Sequence, residues 1–155
     1  MKPTVKHATF AIERLYNATP ARVFAAQSQL EAVKRWFVPP PDWMEEKIEL
    51  DFRVGGSMRT WGGPKGGPVI RFESRYWDIV PDRRIIYSYD LHAGDIRMSV
   101  SLTTIELHGD GKGARLVFTE QGAYFEGFDD VDGRERGTRD LLDSLAREVE
   151  RARSR

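Results

Sequence analysis

Between Glu45 and Gln121 one apolar-patterned stretch follows another, and the breaks between them are too short to hold a crossover helix. IELDFRV closes at Gly55-Gly56, and SMRTW precedes a loose GGPKGGP. The stretch 69–80 stops at Pro81-Asp82, 84–92 at Ala93-Gly94 and 96–108 at GDGKG, and 114–121 completes the series. Parallel neighbours need connections of about a dozen residues or more, so these strands must pair antiparallel, as a meander. A sheet built this way has to bury one face under something. The one element long enough lies at the end. Residues 132–153 carry Leu141, Leu142, Leu145 and Val149 on one side and charges of both signs elsewhere, one long amphipathic helix.

The N-terminal part adds one strand and two short helices. TFAIERLY, residues 9–16, alternates with the period of a strand. Thr19 is a good N-cap, and Pro20 suits the first helical position, where its missing N–H would be unpaired anyway. Val23, Phe24 and Gln27 form one helical face, Leu30, Val33, Trp36 and Phe37 a second, and Pro39-Pro40-Pro41 ends it. The expected class is α+β: a curved antiparallel sheet wrapped around a long C-terminal helix, with two short helices after the first strand. A chain of 155 residues without repeat or linker reads as a single domain over 1–155.

Composition removes several functions. Twenty-four basic and 24 acidic residues leave no net positive field for a nucleic-acid partner. Without cysteine there is no disulfide, no thiolate nucleophile and no Cys-type zinc site. No apolar run approaches the ~20 residues of a membrane span, and the first ten residues lack a signal-peptide core, so no membrane insertion and a cytoplasmic location are expected. His7, His92 and His108 stand apart, and neither a Gly-x-Ser-x-Gly elbow nor an HExxH helix is present. No metal and no cofactor is expected. The turn at 62–67 has Gly66 where a phosphate loop needs Ser or Thr after its Lys. The acidic run 126–132 reads as a loop that supplies an N-cap to the last helix.

Three side chains point to chemistry. Glu120 is in phase with Leu116 and Phe118, which read as core-facing. In an apolar cavity, burial would raise the pKa of such a carboxylate and suit it to acid–base work; alternatively it reaches solvent or pairs with an arginine. Tyr87 and Tyr89 share a phase with Ile85 and would present hydroxyls on an apolar wall. The strand 96–108 is ambiguous. Met98, Val100 and Leu102 are in phase with one another but not with Ile105 and Leu107. A bulge near Thr103-Thr104 would put both sets inside; otherwise Ser99, Ser101 and Thr103 line the interior. A dry void of ~300 Å³ would cost on the order of 7 kcal/mol, comparable with a domain's whole stability. Any large cavity must hold water, ligand or inward rings such as Trp36, Trp77, Tyr87, Tyr89, Phe118 and Tyr124.

The run IERLYNATPARVFAAQSQLEAVKRWFVPP, then DFRVGG, YWDIVPDRRIIY and GARLVFTEQGAYFEG, resembles the AHSA1-like proteins. These are relatives of the C-terminal domain of the activator of Hsp90 ATPase, within the START/Bet v 1-like (SRPBCC) superfamily. The resemblance runs from about Thr9 to Glu150. It implies a helix-grip fold with a cavity between sheet and last helix that often holds a hydrophobic ligand. Relatives often carry His where this chain has Glu120, and Gly-Trp where it has Gly137-Thr138. The leading expectation is therefore binding of a small hydrophobic ligand without catalysis. Trp36, Trp77, Tyr87, Tyr89, Met98, Val100, Phe118, Glu120, Tyr124, Leu141 and Leu145 would line the site. The mouth would lie near Trp36, the turn 62–67 and the segment 124–128. The alternatives are an Hsp90-linked co-chaperone, with an Hsp90-type chaperone as partner, and a cyclase- or hydrolase-like enzyme using Glu120 with Tyr87 or Tyr89. Arginines and carboxylates interleaved along the terminal helix read as a solvated, self-paired face.

Overall fold

The structure is a computed structural model that describes residues 4–153, with side chains through residue 151. β1 (Val5–Tyr16) leads into α1 (Pro20–Ser28) and α2 (Leu30–Trp36); then come β2 (Lys47–Leu50), β3 (Met58–Gly62), β4 (Ile70–Val80), β5 (Arg84–Ala93), β6 (Ile96–Asp110), β7 (Gly113–Phe125) and α3 (Val131–Arg153). The strands make one seven-stranded sheet in the order β1-β7-β6-β5-β4-β3-β2, every neighbouring pair antiparallel. The meander is as expected, and β1 joins it beside the last strand. This is the helix-grip fold, the sheet curved around α3.

Local chemistry sets the joints. Thr19 Oγ1 accepts from the backbone N–H of Arg22 at 3.2 Å with Pro20 next to it, the cap read in the sequence. Gln29, at φ −112° and ψ 123°, is extended backbone and separates α1 from α2. In the β4–β5 turn Asp82 takes φ 64°, a left-handed conformation that Asp tolerates better than most residues.

The C-terminal half of α3 is tied down along its length. The Tyr16 hydroxyl donates to the Leu142 carbonyl at 2.9 Å, and Ser144 Oγ to that of Trp36 at 2.7 Å. Arg22 Nε donates to the Val149 carbonyl at 3.3 Å, and Arg35 pairs with the buried Glu148 at 2.8 Å. Between helix and sheet, Ile12, Val23, Val33, Ile85, Leu116, Leu145 and Val149 are almost wholly buried and make the core. Among the described residues no helix is long and apolar enough to cross a membrane.

The ambiguous strand resolves against part of the expected site. β6 pairs with β7 without a break from Ser99↔Tyr124 to Asp110↔Gly113, so no bulge interrupts it at Thr103-Thr104. Ser99, Ser101, Thr103, Ile105 and Leu107 are the buried set. Val100 and Leu102 lie on the outer face, 43% and 40% exposed, and Met98 shares their phase. Met98 and Val100 therefore do not line the interior. Their apolarity fits an outer wall, whereas the hydroxyls of the opposite phase have partners inside.

Candidate functional site

Glu120 lies on the inner face of β7 and is 1% exposed. It meets donors rather than an apolar pocket. The Tyr89 hydroxyl donates to its Oε1 at 2.7 Å, and Tyr124 and Ser101 donate to Oε2 at 2.6 and 3.2 Å. Arg134 reaches the same Oε2 from the first turns of α3 at 3.4 Å. Of the possibilities open from the sequence, pairing with an arginine is the one found. Of the two tyrosines singled out on β5, Tyr89 and not Tyr87 is hydrogen-bonded to the carboxylate.

Gly122 makes this geometry possible. It stands between Glu120 and Tyr124 on the same face of β7, and a Cβ there would fall 2.6 Å from the Tyr124 ring and hydroxyl. Without a side chain, the ring folds back along its own strand to the carboxylate two positions beyond. Burial raises the Tyr124 pKa, and so does its hydrogen bond to Glu120, so this hydroxyl stays a donor.

Arg134 is the residue that the sequence reading placed wrongly. It sits in a mixed-charge run, yet its side chain is only 11% exposed. Nη1 donates to the Tyr89 hydroxyl at 2.7 Å and Nη2 to Ser99 Oγ at 2.8 Å, and Asp129 pairs with Nη2. The guanidinium carbon stands 5.6 Å from the centre of the Tyr89 ring and 5.4 Å from that of Tyr124. Burial works against the charged form, but Tyr89, Asp129, Glu120 and Tyr124 outweigh it and raise the pKa. Arg139 and Glu135 do pair at i,i+4 as read, whereas Glu148, expected on the same solvated face, is buried and pairs with Arg35 of α2.

Beside this polar cluster runs a wall of rings. Phe72 packs on Tyr89 with centroids 4.6 Å apart and on Tyr87 at 6.3 Å, and Tyr87 continues to Tyr76 at 6.1 Å. Tyr76 meets Phe52 at 5.0 Å, Phe52 meets Phe24 at 5.6 Å, and Phe37 joins Phe72 to Trp36. Trp36, Phe37, Phe72, Phe52, Phe24 and Tyr87 remain partly exposed while packed against the core. Phe118 stacks on Phe10 in the core, Leu145 is buried there, and Leu141 is half-buried on the face of α3 that carries Arg134 and Thr138.

Trp77 is a correction. A register shift between Tyr76 and Asp78 in β4 sends Tyr76 inward and leaves Trp77 outside and 52% exposed. Its indole donates to Ser88 Oγ at 2.8 Å and carries Arg75 at 4.4 Å from the ring centre. A hollow of about 660 Å³ also lies on that outer side, against Ser88, Val100, Leu102 and Gln121.

Further polar groups lie near this cluster or along the sheet. Thr103, paired with Glu120 across the β6–β7 ladder, is fully buried and its Oγ1 has no hydrogen-bond partner. The neighbouring Tyr87 hydroxyl has its pKa raised by burial, with Glu120 and Tyr76 adding to the rise, and Thr103 offsets only part of it. Glu46 is half-buried beside Thr60 and Gly62, and burial raises its pKa. The sequence held a signal for Thr103 in the alternation Ser99, Ser101, Thr103; it held none that separates Arg134, Asp129 or Glu46 from other charges.

The family model described as activator of Hsp90 ATPase homolog 1-like protein matches residues 17–150. Among solved structures, protein Mll3558 from Rhizobium loti is 46% identical, covering 95% of this chain and 100% of that one, with a TM-score of 0.87. An uncharacterised protein from Rhizobium leguminosarum is 40% identical over 95% and 97%, with a TM-score of 0.89. Protein CV1439 from Chromobacterium violaceum is 29% identical over 92% and 96%, with a TM-score of 0.78. DynU16, a protein of the dynemicin biosynthetic locus, shares the fold alone, at 17% identity and a TM-score of 0.66 over 92% of this chain and 47% of its own. No curated protein matches. The chain belongs to the activator of Hsp90 ATPase homolog 1-like family, in the SRPBCC superfamily of START/Bet v 1-like folds.

Proposed function

We propose that the protein binds a small, largely hydrophobic molecule against the aromatic wall between the sheet and α3, with the Glu120 cluster at one end. One observation carries this reading: six rings of that wall, Trp36, Phe37, Phe72, Phe52, Phe24 and Tyr87, stay partly exposed even though they pack on the core and on one another. Covering ~150 Å² of such surface is worth about 4 kcal/mol, enough for a ligand to bind before any polar contact is counted. The family's frequent use of this fold for hydrophobic ligands supports the same reading. The geometry favours binding over catalysis. Both oxygens of Glu120 already accept hydrogen bonds, so proton transfer to a substrate would first require the cluster to open.

The test uses the neutral fluorescent probe N-phenyl-1-naphthylamine. Saturable enhancement is expected with the wild type, weakened by Phe72→Ala and blocked by Leu141→Trp in a protein that still melts cooperatively. Absence of saturable enhancement, or enhancement indifferent to both substitutions, sinks the reading. The family match supports an Hsp90-linked role as a second reading. A pull-down without Hsp90 retention, together with an unchanged Hsp90 ATPase rate, dismisses that one.

A further inference from the structure

The Glu120 cluster is built like a receptor for a cation, and the cation in it belongs to the protein itself. Two carboxylates, Glu120 and Asp129, two tyrosine rings at 5.6 and 5.4 Å, and the oxygens of Tyr89 and Ser99 surround the guanidinium of Arg134. Aromatic faces combined with carboxylates are the chemistry that holds ammonium and guanidinium groups away from water. The charge is over-complete: Glu120 and Asp129 carry two negative charges against one on Arg134. Asp130 and Asp132 follow Asp129 in sequence. One inward hydroxyl makes no hydrogen bond of normal geometry: Thr103 Oγ1, fully buried, stands between Glu120 across the ladder and the Tyr87 hydroxyl.

The arginine is mounted on the weakest part of α3. Gly133 and Gly137 flank it, each of lower helix propensity than Ala, and a Cβ on Gly137 would touch nothing within 4 Å. Among the described residues, every side-chain hydrogen bond recorded between these first turns and the sheet runs through Arg134, whereas the later turns are bound to β1, α1 and α2 by several residues.

We infer that the cage of Glu120, Asp129, Tyr89 and Tyr124 is a ligand subsite for an organic cation, an amine or guanidine on an aromatic body, in which Arg134 sits as a built-in competitor. The body of such a ligand lies on Phe72 and Tyr87, which the Tyr89 ring joins to the cage. The acidic segment attracts cations and disfavours carboxylates, so a fatty acid is the wrong ligand for this wall. This inference rests on the binding reading above and adds the charge of the ligand.

The experiment compares three molecules of one shape: benzamidine, benzamide and benzoate, which are cationic, neutral and anionic. Binding is followed by titration calorimetry to the wild type and to Arg134→Ala. A ligand that must displace a resident group binds more weakly by the fraction of time the site is free. Benzamidine should therefore bind Arg134→Ala about tenfold or more tighter than it binds the wild type. It should raise the melting temperature of that variant, with benzamide well behind and benzoate weakest. Adding Glu120→Gln to Arg134→Ala should erase the preference for benzamidine over benzamide. Equal binding of benzamidine and benzamide by Arg134→Ala overturns the inference and leaves Arg134 as a structural tie. The failure of the binding reading is separate, because it is read from N-phenyl-1-naphthylamine with the wild type, Phe72→Ala and Leu141→Trp.

Discussion

Removing the two ends of the Arg134–Glu120 pair should have unequal consequences, and the inequality follows from who is left behind. Glu120→Ala strands the hydroxyls of Tyr89, Ser101 and Tyr124 and one arm of Arg134, all in a site where Glu120 itself was 1% exposed. Breaking a buried ion pair from one side costs ~3–5 kcal/mol, which for a chain of this length lowers the melting temperature by roughly 10 °C. Arg134→Ala leaves Glu120 with three hydroxyl donors at 2.6, 2.7 and 3.2 Å. It also deprives Asp129 of its partner, but Asp129 stands on the segment before α3, and the turns freed with it let that carboxylate reach water. Its cost should stay near that of one or two hydrogen bonds to a charged group, about 2–3 kcal/mol, and it should be local. Urea titration followed by circular dichroism gives the first quantity; hydrogen exchange gives the second. Amides of residues 131–138 should lose protection in Arg134→Ala, while those of residues 142–150, tied through Tyr16, Arg22 and Arg35, keep theirs. An Arg134→Ala variant as unstable as Glu120→Ala, or one that loses protection along the whole helix, refutes the argument.

Other substitutions follow from the same geometry. Gly137→Ala places a methyl group where nothing lies within 4 Å, so it should stabilise the protein by about 0.5–1 kcal/mol, read as a higher urea midpoint at unchanged m-value. Gly122→Ala should do the opposite, because the new Cβ meets the Tyr124 ring at 2.6 Å; the Tyr124–Glu120 bond breaks, and the near-ultraviolet tyrosine signal changes. Two carboxylates give opposite pH behaviour. The hydrogen bond from Arg35 holds the Glu148 pKa below 4.5, so its stabilisation is whole above about pH 4.5 and is lost as the pH falls through the lower folded value. Burial raises the Glu46 pKa above 4.5, so its ionisation costs stability at neutral pH and that cost disappears in mild acid. Glu148→Gln should flatten the acid side of the stability profile. Glu46→Gln should be more stable than the wild type at pH 7 and no different at pH 4, and the reverse order would contradict the assigned burial.

The sheet and its covering helix are legible because their signals are local: short turns force antiparallel neighbours, and the 3–4 residue spacing of Leu141, Leu145 and Val149 marks the buried side of α3. The site is less legible because it reverses the rule that served elsewhere. On β6 the apolar Val100 and Leu102 face outward, and Ser99, Ser101 and Thr103 face inward, so a reading that assigns apolar residues to the interior selects the wrong phase. The reversal has a physical cause. A carboxylate at position 120 of the facing strand needs donors, and Ser101 beside it on β6 and Tyr89 on β5 supply them. Glu120 could be singled out by its phase with Leu116 and Phe118, but its partner could not. Arg134 has the same charged neighbours in sequence as Arg136 and Arg139, and only the seating of α3 over β5, β6 and β7 distinguishes it. Polar residues that break the alternation of a buried strand are costly unless they answer one another across the sheet. At Ser99, Ser101, Glu120 and Arg134 they do so; at Thr103, whose hydroxyl has only that of Tyr87 nearby and no hydrogen bond of normal geometry, the answer is incomplete.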